Sequence, residues 1–265
     1  MTRKFMTRKY ASRVGLAVLS LVAFLALWQG IIWVSGYPAF IIPPPMAVVK
    51  RLGDLVANGT LWFHAGVTLQ EVLAGLGLGT LVATALGYVL AHSPLAERVL
   101  APFIIASQSV PTVAIAPLLV IWFDTGLLSK VLVCALIVFF PILVNTVVGL
   151  RTVERGLRDL MRTLESSRWQ TVWLLELPAA LPVLLGGLKV GATLAVIGAV
   201  VGEFVAADRG LGYLLKAGQQ VYDTPQVFVG IGALVVLAQA LYGAVALAER
   251  GLLRWRGESS LGGTK

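Results

Sequence analysis

Residues 159–182 read DLMRTLESSRWQTVWLLELPAALP and form a polar island between long apolar segments of a 265-residue chain. Residues 151–176 carry five Arg and four Asp or Glu, and no other internal stretch is as charged. Apolar segments of membrane length are expected to cross the bilayer, and the charged sequence between them is expected to face water. The island therefore predicts a solvent-facing loop between membrane-crossing helices.

The first half of the island has the periodicity of a short amphipathic helix. Four apolar residues fall at i, i+3, i+4 and i+7, which places them on one helical face: Leu157, Leu160, Met161 and Leu164. Charged residues fill the other face: Glu154, Arg155, Arg158, Asp159 and Arg162. This half is predicted to be helical.

A turn at Glu165 and Ser166 and a second short helix complete the island. Ser167 is placed to cap this helix, because a serine hydroxyl accepts hydrogen bonds from the first free N–H groups. Three apolar residues share a face of the helix: Trp169, Val172 and Trp173. Pro178 is expected to end it, since a proline disfavours the α conformation at the preceding residue, Leu177. The island is thus predicted to be a helix, a turn and a helix.

The island resembles the cytoplasmic loop of permease subunits of binding-protein-dependent ABC importers. That family's pattern is Glu-Ala-Ala, a Gly four residues later and then Leu-Pro, and it marks the helix that docks on the ATPase. Leu177-Pro178 matches, as does the surrounding sequence Arg162-Thr163-Leu164, SRWQ at 167–170 and LPAALP at 177–182. This chain departs from the pattern at two points, with Asp159-Leu160-Met161 for Glu-Ala-Ala and Glu165 for the Gly. The resemblance covers residues 43–256.

The resemblance implies a set of residues that couple the permease to its ATPase. They are Asp159, Glu165, Ser167, Arg168, Trp169, Trp173, Leu177 and Pro178. The alternative is an ordinary solvated loop of another polytopic protein, since short amphipathic helices are common between membrane spans. The matching sequence on both sides of the turn favours the coupling loop.

Composition excludes a soluble fold and a nucleic-acid-binding function. The chain is 58% hydrophobic and 13% charged, with a mean hydropathy of +0.87, which is typical of a polytopic membrane protein. The net charge is +8, yet the Lys and Arg residues cluster at the ends of apolar runs, where they would orient membrane spans. With the single cysteine, Cys134, inside an apolar run, no intrachain disulfide or Cys-based metal site is expected.

Six apolar runs are long enough to cross a bilayer, which needs roughly 20 residues. They are residues 14–34, 67–91, 99–122, 128–150, 182–206 and 226–248. The fold class is therefore all-α and polytopic, with residues 1–265 as one transmembrane permease domain of the type I ABC importer fold that the resemblance implies. The first run is interpreted as a membrane helix rather than a signal peptide, and Met6 is an alternative start to Met1.

The distribution of basic residues predicts the orientation. With the N-terminus inside, cytoplasmic segments hold fifteen Lys and Arg and outer segments hold five, and this asymmetry orients spans. Residues 1–13, 151–181 and 249–265 are therefore expected in the cytoplasm of a cell-membrane protein. Two charges fall inside the fifth run: Lys189 is expected to extend towards the inner surface, and Glu203, which lacks a partner at i−3 or i−4, is expected at the outer interface.

Two stripes of small residues at helical spacing predict close helix packing. One lies in the second run, at Gly75, Gly79, Ala83 and Gly87, and the other in the fifth, at Gly187, Gly191, Ala195, Gly198 and Gly202. Pro102, Pro111 and Pro117 are expected to kink or unwind the third run. Polar residues near that break, with others on the fourth and fifth runs, are candidates for a translocation path, or alternatively for helix-to-helix hydrogen bonding: Ser107, Gln108, Ser109, Asn145 and Thr193.

The sequence lacks the motifs of an enzyme. It has no GxxxxGK[ST] phosphate loop, and no HExxH, GxSxG or paired-carboxylate pattern, while His64 and His92 stand apart. No catalytic residue, cofactor or metal is expected on this polypeptide.

The resemblance implies a permease subunit that works with ABC ATPase subunits, an external solute-binding protein and a second permease, either a copy or a paralogue, in contact with membrane lipid. APLLVIWF, FFPILVNTVVGL and GLKVGATLAVIGAVVGEF resemble the branch that imports nitrate, sulfonates and taurine, and most closely its members for riboflavin or a pyrimidine precursor of thiamine. An ion-coupled secondary transporter is the alternative, but such proteins tend to show intramembrane carboxylates and repeat symmetry. A purely structural membrane scaffold would leave the island unexplained.

Overall fold

The structure is a computed structural model that describes residues 2–254, with side chains described at positions 16, 19 and 20 and from 22 onward. Within these residues the regular structure is entirely helical, as the composition predicts. The helices in chain order are α1 (Thr2–Ser35), α2 (Pro45–Ala57), α3 (Thr60–His92), α4 (Pro94–Gln108), α5 (Thr112–Phe123), α6 (Leu127–Arg151), α7 (Arg155–Thr163), α8 (Arg168–Thr171), α9 (Leu177–Ala206), α10 (Leu211–Gln220) and α11 (Thr224–Leu252). A π-helical turn, Val172–Glu176, joins α8 to α9.

The described chain forms two compact units. The first comprises residues up to 61 together with 214–231. In it the Arg51 side chain forms an ion pair with Asp223 at 2.6 Å and a hydrogen bond to Gln226 at 2.7 Å. The second unit comprises residues 62–213 and those from 232 onward, and it contains the candidate sites described below.

Among the described residues, four continuous helical segments are long and apolar enough to cross a membrane: α3, α6, Arg168–Ala206 and α11. A fifth candidate is the pair formed by α4 and α5, and the sixth predicted span falls in α1, where residues 22–35 form a shorter apolar helix. These segments are compatible with the six predicted spans.

The predicted third span is broken rather than kinked. The axes of α4 and α5 differ by 95°, and the break lies between Gln108 and Thr112. Pro111 explains the position, because it has no N–H to donate and disfavours the α conformation at Val110. Pro102 and Pro117, by contrast, lie inside α4 and α5.

The small-residue stripes act as predicted and bring α3, α6 and α9 into close contact. A Cβ at Gly75 or Gly79 would collide with α6 at Cys134 and Val138, and one at Gly198 would lie 2.8 Å from the Cys134 Cα. Cys134 is fully buried, as expected of a small packing residue. The core of the second unit therefore depends on glycines that let helix backbones approach each other.

The predicted helix end at Pro178 is wrong. Leu177 is α-helical, with φ −63° and ψ −49°, so the helix that begins at Arg168 runs on to Ala206. The π-helical turn ends at Glu176, just before Pro178, and a π turn shifts hydrogen bonding away from the i−4 carbonyl. The missing N–H of Pro178 therefore falls where the regular pattern is already interrupted.

Candidate functional site

The turn of the polar island is a helix-ending motif that requires a left-handed residue. The Glu165 N–H donates to Arg162 O at 2.9 Å and the Ser166 N–H donates to Met161 O at 3.0 Å, which is the bonding of a Schellman motif. Its left-handed position is occupied by Glu165, with φ +51°. The family pattern has glycine here, so this chain keeps the turn and accepts the strain of a side chain at positive φ.

Ser167 begins α8 with a capping box. Its hydroxyl accepts a hydrogen bond from the Gln170 N–H at 3.2 Å, and its own N–H donates to the Gln170 side chain at 2.8 Å. The predicted cap is therefore confirmed in its geometry. Arg168 follows as the first residue of α8 and is exposed.

The tryptophans on α8 and the π-helical turn form an exposed pair. Trp169 is 70% exposed and Trp173 is 52% exposed, and their rings meet edge to face with centroids 5.6 Å apart. Leu157, Leu160 and Leu164 on and after α7 are exposed as well. The island thus presents an apolar surface that other parts of the described chain leave uncovered, and patches of this kind mark contact sites.

Three other predicted coupling residues have different surroundings. Asp159 lies on the exposed side of α7 and pairs with Arg162 at 3.0 Å. Leu177 and Pro178 are half-buried in the first turn of α9. The structure thus brings Trp169 and Trp173 into contact and leaves Asp159 facing solvent.

One carboxylate of the island itself, that of Glu176, is buried, and the sequence gave no indication of this. Glu176 ends the π-helical turn and is 3% exposed, with its Oε1 lying 2.8 Å from His92 Nε2 and 3.4 Å from Arg158 Nε. These contacts link the π-helical turn, α3 and α7 around a cavity of about 610 Å³. His92 is therefore not isolated, although its sequence neighbours gave no sign of this partner.

The five residues proposed for a translocation path lie on three different parts of the fold. Ser107, Gln108 and Ser109 are exposed at the end of α4, next to the break before α5. Asn145 on α6 donates to Pro141 O at 2.7 Å, and Thr193 on α9 donates to Val190 O at 2.8 Å. Both of these hydrogen bonds stay within one helix, so they do not join the residues to one another.

The opposite end of the second unit holds a buried polar cluster around Glu203. Glu203 is fully buried, so the expectation that it lies at the outer interface rather than in the interior is wrong. Its carboxylate accepts hydrogen bonds from the Thr68 hydroxyl at 2.7 Å and from the Gly212 N–H. Its neighbours three and four residues away gave no partner because the partners come from α3 and from the following loop.

The loop after α9 is shaped to receive this carboxylate. Gly210 has φ +107°, and a Cβ at Gly210 or Gly212 would collide with the Glu203 side chain. The Gly210 N–H donates to His64 Nδ1 at 3.0 Å, and the Leu211 N–H donates to the Thr68 hydroxyl at 2.8 Å. Glu203 and the Gly-Leu-Gly sequence seven residues later thus form one structural motif.

Two further buried charges escaped the sequence interpretation. Glu71 on α3 is 1% exposed and Lys130 on α6 is 3% exposed, and they form an ion pair at 3.7 Å. Lys130 is one of the five basic residues counted in the predicted outer segments, and it lies in the first turn of α6. Lys189, expected to extend towards the inner surface, pairs at 2.6 Å with Glu249, the first residue of the segment predicted to be cytoplasmic.

The chain matches a known family over most of its length. Residues 75–254 match the family described as binding-protein-dependent transport system inner membrane component. The chain is 46% identical over 242 residues to the riboflavin transport system permease protein RibX of Chloroflexus aurantiacus, covering 91% of this chain and 90% of the relative. It is 34% identical over 238 residues to the formylaminopyrimidine transport permease protein ThiX of Halalkalibacterium halodurans, covering 90% and 94%.

A more distant relative and one solved structure agree with these matches. A putative aliphatic sulfonates transport permease protein of Bacillus subtilis is 32% identical over 249 residues, covering 94% of this chain and 90% of the relative. The structure of the inward-facing MetNI methionine ABC transporter matches with a TM-score of 0.63 at 20% identity, covering 73% of this chain and 97% of that one. The latter similarity shows that the two chains share a fold.

Proposed function

Because the chain belongs to the binding-protein-dependent transport system inner membrane component family, we propose that it is the permease subunit of an ABC importer for riboflavin. It is a multi-pass membrane protein whose relatives are transport permeases. The 46% identity to a riboflavin permease over nine-tenths of both chains carries the choice of solute. A pyrimidine precursor of thiamine is the second candidate, supported by the 34% identity to a formylaminopyrimidine permease.

The proposed assembly supplies what this chain lacks. Two permease subunits, either two copies of this chain or one with a paralogue, would stand in the cell membrane with both termini in the cytoplasm. Separate ATPase subunits would hydrolyse ATP, since this chain has no phosphate-binding loop. An external binding protein would deliver the solute, which would cross by alternating access.

The polar island is proposed as the surface that docks on the ATPase. The support is its exposed Trp169–Trp173 pair, held by the Ser167 cap and preceded by the Glu165 turn. Burial of one such aromatic side chain is worth on the order of 2 kcal/mol, so an apolar groove on a partner would bind it with useful affinity. Asp159 and Arg168 would lie at the rim, where charge pairs contribute little.

The break between α4 and α5 is proposed to line the translocation path. It exposes polar side chains where the helix is interrupted, and non-helical backbone within a membrane is tolerated only beside protein or a wet cavity. Ser107, Gln108 and Ser109 would face the solute there, with Asn145 and Thr193 further along. Gln108→Trp should then reduce uptake without loss of the ATPase, and unchanged uptake would remove this residue from the path.

Solute uptake tests the proposed function directly. The permease should be expressed with the ATPase and binding protein encoded beside it, in cells that lack their own riboflavin importer. We expect ATP-dependent accumulation of labelled riboflavin, which an excess of unlabelled riboflavin abolishes and an excess of taurine does not. Accumulation of taurine or of the formylaminopyrimidine instead of riboflavin would overturn the proposed solute.

A further inference from the structure

A water-accessible cavity of about 640 Å³ lies beside the buried charges at the end of the second unit opposite the polar island. It is formed where α3 and α6 begin and α9 ends. Its polar lining includes Gln70 and Glu71 of α3, Lys130 of α6, and Asp208 and Arg209 after α9. A volume of this size falls within the range of sites for small organic ligands.

Two buried groups that line the cavity have unsatisfied hydrogen-bonding capacity. Glu71 Oε2 is buried and receives no hydrogen bond from the residues that the structure describes. The Glu71 carboxyl also lies against that of Glu203, and a proton shared by the two acids still leaves Glu71 with an oxygen that can accept a hydrogen bond. Lys130 Nζ lies 3.7 Å from Glu71 Oε1, which is beyond hydrogen-bonding distance, so this ion pair leaves the ammonium N–H groups available.

An acceptor and a donor that are buried side by side select a ligand with the complementary pair. Leaving such groups unsatisfied costs free energy, which a bound ligand recovers by hydrogen bonding. A ligand N–H or O–H would donate to Glu71, and an adjacent carbonyl or hydroxyl oxygen would accept from Lys130. Amides, imides, aminopyrimidines and polyols carry this arrangement.

The charges around the cavity argue against an anionic ligand. The buried Glu71–Glu203 pair offsets Lys130, and the exposed Arg209 donates to Asp208 at 3.1 Å, which lowers the pKa of Asp208 and keeps this second pair ionised. The charges of the lining are thus balanced. A sulfonate or nitrate would find no excess positive charge here, whereas a neutral polar solute avoids that penalty.

We propose that this cavity is a solute-binding subsite of the permease, in which Glu71 and Lys130 recognise a neutral polar molecule by an adjacent donor and acceptor. The proposal rests on the function proposed above, because riboflavin has an imide edge and a polyol chain of this kind. The subsite would receive the solute on the side of the protein opposite the polar island. It would thereby give the permease a selectivity of its own, in addition to that of the binding protein.

Riboflavin binding to the purified complex of permease and ATPase in nanodiscs tests the proposal, with fluorescence polarisation as the readout. Gly126 lines the cavity at ordinary negative φ, and open space surrounds the position of a Cβ. Gly126→Trp should therefore fill the cavity without removing a buried charge, and we expect at least a tenfold loss of affinity. Gly232→Trp, on the exposed side of α11 and also in open space, is the matched control and should bind as the wild type does.

The charged pair is tested by Lys130→Met and Glu71→Gln, and we expect each to weaken riboflavin binding about tenfold or more. Recovery of the ATPase with each variant shows whether it is folded and assembled. Wild-type affinity in Gly126→Trp, or tighter binding of taurine than of riboflavin to the wild type, would overturn the subsite. If the wild-type complex takes up no riboflavin, the proposed function is contradicted, and the subsite with it. The uptake assay therefore distinguishes failure of the proposed function from failure of the subsite alone.

Discussion

Glu203 shows how a single buried side chain can fix a loop. Its carboxylate accepts hydrogen bonds from Thr68 and from the Gly212 N–H in the first turn of α10, just after the loop, all inside the protein. Each buried donor that loses such an acceptor costs about 1–3 kcal/mol. The position of the loop therefore depends on one acid and on glycines that leave room for it.

The glycine requirement can be measured by thermal unfolding of the purified permease. Gly210→Ala adds a Cβ that collides with Glu203, and it puts an L side chain at φ +107°. We therefore expect the free energy of unfolding to fall by at least about 2 kcal/mol. Gly59→Ala is the control, because it has φ +77° but open space, and it should cost only about 1 kcal/mol. Equal losses in the two variants would show that the fit around Glu203 contributes nothing.

Glu165 is the second residue whose backbone angle matters. It occupies the left-handed position of a Schellman motif at φ +51°, where an L side chain costs roughly 1 kcal/mol. Glu165→Gly should remove this strain and leave unfolding temperature and ATPase recovery equal to or above the wild-type values. Glu165→Ala keeps the strain and should show no gain, and a loss of stability in Glu165→Gly would mean that the carboxylate itself is needed.

At the scale of the helix, the polar island combines an exposed apolar face with a rigid base. The capping box of Ser167 sets the start of α8, and the continuous helix to Ala206 connects the exposed tryptophans to the membrane-spanning part. Motion of this segment would be transmitted along α9, because the helical segment is continuous from Arg168 to Ala206. This continuity suits a coupling role better than the separate short helix that the sequence predicts.

Removal of both tryptophans should break the coupling contact. Trp169→Ala with Trp173→Ala removes two exposed rings, each worth on the order of 2 kcal/mol when buried at an interface. We expect loss of ATPase co-purification with normal membrane insertion. Trp62→Ala, which removes an equally exposed ring from the start of α3, is the control and should retain the ATPase. If the double variant keeps its ATPase and its transport, the island is an ordinary loop.

At the scale of the whole molecule, membrane orientation gives the next prediction. The proposed topology puts residues 151–181 and the C-terminus in the cytoplasm and the loop after α9 outside. Reporter fusions after Leu150 and after Glu249 should therefore report the cytoplasm, and a fusion after Ala207 should report the exterior. An exterior signal from a fusion at Leu160 would contradict the orientation and the coupling role together.

Sequence alone determined the features that depend on local spacing. Apolar runs of bilayer length give membrane helices whatever their neighbours, and capping needs only residues a turn apart. The long apolar helices, α7 and the Ser167 cap could therefore be predicted, and the structure is compatible with the six predicted spans. The close helix packing predicted from the glycine stripes was also confirmed, because small residues at helical spacing share one face of a helix whatever partner it meets. The island's similarity to permease loops, carried by local motifs, identified the family.

Only the tertiary structure decided which distant residues meet. Glu203 finds its donors on α3 and in the next loop, Glu71 pairs with Lys130 of α6, and Glu176 reaches His92 84 residues away. Helix periodicity fixes the face on which a residue lies but not the partner that this face meets. The same limit explains Pro178, whose effect on the helix was set by the π-helical turn before it rather than by its own ring. The sequence therefore could not place the charged residues whose partners are distant in the chain and are brought together by burial.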